Sequence, residues 1–159
     1  MDDAKLMQEA KVVYETFCDA LTGDDWKYTR HDDDLVITCG AKGEDLPIEL
    51  MIRVDAKRRL ISILSRLPSV FGEDKRVDGN LAICVANKGM VHGCFDFDNS
   101  TGKVYFRMAN SYRGCRISKD LCLYMTYCAC STIDAYNDKF LMVSKNLLSL
   151  EQFIKSEEA

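Results

Sequence analysis

Apolar residues return every three or four positions near the start of the chain: Leu6, Ala10, Val13, Phe17 and Leu21, with Tyr14 and Cys18 beside them. That spacing predicts an amphipathic helix over 1–22. Asp2 or Asp3 is placed to cap it and Gly23 to end it. The period then falls to two. Leu46, Ile48, Leu50, Ile52 and Val54 alternate with Pro47, Glu49, Met51 and Arg53, which predicts a half-buried strand. Residues 35–39 and 60–64 read as strands on either side of it, the second after the turn Asp55-Ala56-Lys57-Arg58. Trp26-Lys27-Tyr28 reads as a short leading strand. Short connections between successive strands predict an antiparallel meander, which Pro68 is expected to close.

Helical spacing returns in Val77, Leu81, Cys84 and Val85, stopped by Asn87-Lys88-Gly89. Gly79 interrupts that pattern at a cost of ~1 kcal/mol against alanine. The stretch VHGCFDFDNSTGKVYFRM then predicts a hairpin. With Asn99-Ser100-Thr101-Gly102 as its loop, Phe97 faces Val104, Phe95 faces Phe106 and Gly93 faces Met108. This register puts the large apolar groups on one side and His92, Cys94, Asp96, Tyr105 and Arg107 on the other.

The last third is helical. Leu121, Met125, Cys128, Ala129, Thr132, Ile133, Tyr136, Phe140 and Val143 make one stripe. Ser149 and Gln152 have capping-box spacing and open a short C-terminal helix over 149–157, with Leu150, Phe153 and Ile154 to dock it. The order is helix, three strands, helix, two strands, two helices. Without βαβ alternation, that order predicts an α+β fold, an antiparallel sheet with helices packed on one face, in a single domain over 1–159.

Composition narrows the function. The 159 residues are 47% apolar and 29% charged, enough to bury a real core. A net charge of −4, with no basic run longer than Lys57-Arg58-Arg59, argues against a nucleic-acid partner. No apolar run approaches the ~20 residues needed to span a bilayer, so no membrane partner is expected. The opening MDDAKLMQEA lacks the basic and apolar regions of a signal peptide. A cytoplasmic location is therefore expected, with the eight cysteines reduced.

Candidate chemistry is sparse. The C-x-C of Cys128 and Cys130 lies in a helical stretch, where residues two apart diverge by about 200°. They are expected to be core side chains, Cys128 on the buried stripe and Cys130 off it. No CxxC pair is present and His31 and His92 lie far from the C-x-C, so no structural metal is expected. Asp24-Asp25 and Asp32-Asp33-Asp34 lack the alternation of a calcium loop and read as solvated turns. Asp134, Asn137 and Asp138 read as a polar helix face. Cys94 is the candidate reactive thiol, because the hairpin register sets it opposite Arg107, although Asp96 shares its face. No nucleotide-binding, hydrolase or metalloprotease motif occurs, so neither an enzyme nor a cofactor is expected.

Strand 60–64 carries apolar residues on both parities, Leu60 and Leu64 on one and Ile61 and Ile63 on the other. A sheet covered on one face does not need both. A partner, a second copy or a further element of the chain must cover the other side. Met51, Leu60, Leu64, Tyr105 and Arg107 are the candidate contact residues.

Three segments, LAICVANKGM (81–90), GCFDFDNSTGKVYFRM (93–108) and TIDAYNDKFLMV (132–143), resemble the YbjN family of proposed bacterial sensory transduction regulators. That family's fold is like that of type III secretion chaperones. The resemblance implies a small acidic protein that forms a homodimer and binds other polypeptides, and it carries over no catalytic residue. The leading expectation is thus a non-enzymatic, chaperone-like regulatory protein with a protein or peptide partner. The alternative is a small-molecule or redox sensor, with a pocket between helix and sheet and Cys94 or Cys115 as its thiol.

Overall fold

The computed structural model describes residues 2–159. Helix α1 (Asp3–Gly23) begins where the Asp2 carboxylate accepts from the Ala4 amide. Four strands follow: β1 (Tyr28–His31), β2 (Val36–Lys42), β3 (Pro47–Asp55) and β4 (Leu60–Val70). A 3-10 turn over Glu73–Lys75 leads into α2 (Arg76–Asn87), and the hairpin β5 (Cys94–Phe97) and β6 (Lys103–Ser111) comes next. Helices α3 (Lys119–Ser144) and α4 (Leu150–Glu158) complete the chain. All neighbours are antiparallel in one six-stranded sheet of order β1-β2-β3-β4-β6-β5. The expected α+β architecture is the one observed.

The period-two residues build the core. Ile48, Leu50, Ile52 and Val54 of β3, with Ile61 and Ile63 of β4, are buried beneath the helices. Helix α3 lies along β4 and meets α1, while α2 covers β5. The expected pairings Phe97–Val104 and Phe95–Phe106 are present. The Phe95 ring meets those of Phe106, Tyr136 and Phe140, tying the hairpin to α3. Ser149 and Gln152 form the capping box that starts α4, and Phe153 docks it against Phe140.

The chain departs from the sequence expectations in four places. The leading strand begins at Tyr28 and excludes Trp26. Pro68 does not close the sheet: β4 runs on to Val70, and Leu67 and Ser69 are buried. Its pairing with β6 is irregular between Arg66 and Val70, which is where a residue without an amide proton is tolerated.

Helix α2 turns three of its four stripe residues outward and leaves only Val85 half-buried. Gly79, Ala82, Ile83 and Ala86 are buried, whereas Val77, Leu81 and Cys84 are exposed. The small residues decide this. A Cβ on Gly79 would lie 2.6 Å from the Phe97 ring and 3.0 Å from Phe71, so only a bare backbone comes this close to the aromatic pair.

The α3 stripe is also rotated. Cys122, Thr126 and Asn137 join its buried centre, and both cysteines of the C-x-C are half-buried. Cys130 faces the Cys39 side of the sheet, and burial pushes both of these thiols up to about 11. Both cysteines pack against the core, so Cys130 is not off the packed side as expected and Cys128 is not a deep core residue.

Candidate functional site on the open sheet face

Strand parity sends Met51, Leu64 and Tyr105 to the face away from the helices. The registers align one row across all six strands: Thr29, Thr38, Met51, Leu64, Arg107 and Cys94. Every member is exposed or half-buried, whereas the flanking inward positions Ile52, Ile63 and Phe106 are sealed. Apolar residues thus lie on both faces of β4, and Leu60 and Leu64 stay half-buried on the side away from the helix-covered core.

The face is not flat. Pairing between β3 and β4 runs from Asp55–Leu60 to Met51–Leu64. Beyond it, residues 47–50 pair with β2, and residues 65–70 lie beside β6. A cleft of about 750 Å³ occupies this divergence. Met51, Leu64 and Tyr105 line it, with Tyr28, Glu49 and Arg66 at its sides.

Three of the five candidate contact residues, Met51, Leu64 and Tyr105, meet at this cleft. Leu60 pairs with Asp55 beside the turn, about 13 Å along the strand from Leu64. Arg107 stands in the same row as Leu64 but is engaged elsewhere. Its Nε donates to Asp96 Oδ2 at 2.7 Å, and its Nη2 donates to Asp96 Oδ1 at 3.2 Å and to Cys94 Sγ at 3.3 Å. Burial and then the Asp96 charge raise the Cys94 thiol, outweighing the lowering by Arg107. The guanidinium beside Cys94 therefore does not produce a thiolate at neutral pH.

Cys94 and Cys115 occupy separate sites. Cys94 is on the open face, while Cys115 is on the wall of a second cavity beside α1. Arg66 of the cleft was not singled out from the sequence, because charge on a strand reads as ordinary solvated surface. Among the described residues, Arg53 and Arg66 of this face pair with no carboxylate. Glu49 of the same face also lacks an ion-pair partner among the described residues, so the free charge here has both signs, with arginine in excess, in a chain whose net charge is −4.

The other acidic clusters have structural partners. Asp32 accepts from the Tyr14 hydroxyl at 2.9 Å and from Arg30, fastening the β1–β2 turn to α1. Asp134 accepts from the Glu44 amide at 2.8 Å and holds the β2–β3 loop against α3. No helix of the described residues is long and apolar enough to cross a membrane.

No family model and no curated protein matches this chain. Solved structures do. The crystal structure of YbjN from E. coli, provisionally assigned as a transcription regulator, is 8% identical with a TM-score of 0.59, over 84% of this chain and 92% of that one. A chain of the HopA1–SchA chaperone–effector complex is 10% identical with a TM-score of 0.54, over 82% and 97% of the two. At these identities the likeness is one of fold, and the chain shares the α+β sheet-and-helix fold of both.

Proposed function

We propose that the chain is a non-enzymatic protein-binding module whose open sheet face receives an extended segment of a partner polypeptide, in the manner of a chaperone. The observation that carries this reading is the cleft at Met51, Leu64 and Tyr105, apolar at its floor and left open by the described residues. An extended segment suits it because the diverging strands offer a channel rather than a closed pocket, and alternate side chains of a strand reach one face. Arg66 beside the cleft and Arg53 on the next row favour a partner segment that carries carboxylates beside an aromatic or aliphatic anchor. The fold shared with a chain of a chaperone–effector complex is consistent with this role.

Selection of extended peptides from a random displayed library against the immobilised protein tests it. Enriched peptides should combine an apolar anchor with acidic residues, and their binding should be lost in Leu64→Glu and Arg66→Glu. Peptides that bind both variants as well as the wild type would sink the reading. The proposed homodimer has a separate candidate surface, the exposed ridge of Val77, Leu81 and Cys84 on α2. Sedimentation equilibrium of the wild type and Leu81→Lys tests that part alone.

A further inference from the structure

A second cavity of about 800 Å³ lies between the N-terminal half of α1 and the loop that joins β6 to α3. Val12 and Ile117 give it apolar walls, and Arg59 and Arg116 give it positive charge. It shares no residue with the sheet-face cleft. Val12 is 58% exposed, a large apolar side chain left open to this groove.

Arg59 is held here by the backbone. It closes the β3–β4 turn with a φ of 57°, a left-handed conformation that is strained for any residue with a Cβ. Its carbonyl accepts from the Tyr112 amide at 3.1 Å, which fixes the turn against the cavity's loop. The guanidinium Nη2 donates to Glu9 Oε2 at 2.9 Å, yet the buried Nε has no acceptor among the described residues. Nε and Nη2 form the fork with which arginine grips a carboxylate or phosphate by two parallel bonds. Glu9 occupies one prong and leaves the other empty.

We infer that this cavity binds a small organic anion with an apolar body. Its anionic oxygens take both prongs of Arg59 in place of Glu9, with Arg116 supplying further positive charge and Val12 and Ile117 packing the apolar part. Glu9 is then a resident competitor that keeps the arginine paired when the site is empty. A half-satisfied guanidinium is a feature that a purely structural ion pair does not need.

The test uses hexyl phosphate and hexanoate as probes on the full chain, with hexanol and inorganic phosphate as controls. The readout is alkylation of Cys115, the exposed thiol on the cavity wall, followed by peptide mass spectrometry. At least one of the amphipathic anions should protect Cys115 at millimolar concentration, and the stronger of the two identifies the head group. Hexanol should not protect. Arg59→Asn should weaken protection on the order of tenfold or more, and asparagine enters the left-handed region readily enough to keep the turn. Arg116→Gln, an exposed change that leaves the fold alone, should weaken it less, and Glu9→Gln should strengthen it several-fold. Absence of protection by either anion overturns the inference. So does protection by hexanol or inorganic phosphate as strong as by the amphipathic anions, or protection unchanged in Arg59→Asn.

Discussion

Met51 on β3 and Leu64 on β4 stand directly opposite each other, and theirs is the last bridge before the two strands part. On one side of this pair the sheet is continuous, and on the other it opens into the cleft. The pair therefore marks where backbone pairing ends and a surface for another chain begins.

Leu64 points away from the helical core, so Leu64→Glu should fold normally. Its stability should change by no more than about 1 kcal/mol, the range of surface substitutions. Ile63 next to it is fully buried, and Ile63→Glu should fail to fold because it places an unpaired charge in the core. Urea melts of the two variants check this contrast. Equal destabilisation would mean that the open face is buried in solution.

Two glycines with similar backbones should respond differently. Gly102 has a φ of 73° and its Cβ position lies 1.9 Å from the Phe71 carbonyl oxygen, a backbone atom that cannot yield. Gly114 has a φ of 69° with open space around it. Gly102→Ala should cost more than about 3 kcal/mol, through strain and overlap together. Gly114→Ala should cost about 1 kcal/mol, through strain alone. Chemical denaturation of both variants measures the difference.

Ser69 is fully buried and its hydroxyl has no hydrogen-bond partner among the described residues. Removing an unsatisfied polar group removes its desolvation cost, so Ser69→Ala should stabilise the protein by about 1 kcal/mol. A lower melting point would show that the hydroxyl has a partner in solution, such as an internal water.

Alkaline pH should loosen the α3–α4 contact. Burial first, and then the hydrogen bond at 2.6 Å to Glu157, push the Tyr136 phenol up to about 12. A group raised in the folded state adds stability that is complete below its unfolded value, about 10. That contribution is lost as pH rises toward 12. Tyr136→Phe should flatten this part of the pH–stability curve, read from urea melts between pH 9 and 12 (roughly the window set by those two values). An unchanged alkaline slope would contradict the assignment.

Thiol accessibility should sort the eight cysteines. Cys84 and Cys115 are exposed on the single chain; Cys115 should label first with a thiol reagent at neutral pH, and Cys84 should keep pace with it in Leu81→Lys, where the proposed dimer ridge is open. Cys94 should lag behind them, because burial and Asp96 keep it protonated. Rapid labelling of Cys94 in the folded protein would restore it as a reactive thiol.

The hairpin and the capping box were legible in the sequence because their signals are local. One turn and one alternation set the Phe95–Phe106 register, and four residues set the start of α4. Helix α2 misled because periodicity weighs large apolar residues, whereas its buried side is Gly79, Ala82, Ile83 and Ala86, with Gly79 close against Phe71 and Phe97. Of the site, Met51, Leu64 and Tyr105 were reachable through strand parity. Arg66 and the whole Arg59 cavity were not, since nothing in the chain places Glu9 beside residue 59.

The sequence by itself determined which residues alternate, which turn and which cap, and hence the α+β class, because those choices depend on neighbours along the chain. Only the tertiary structure decided how far β4 extends past Pro68, where β3 leaves it, and which face of α2 is buried. Those outcomes depend on side-chain volume and backbone approach between segments distant in sequence. They shape both cavities, so the fold and the side of the sheet that Met51, Leu64 and Tyr105 share were foreseeable from pattern, and the cavities themselves were not.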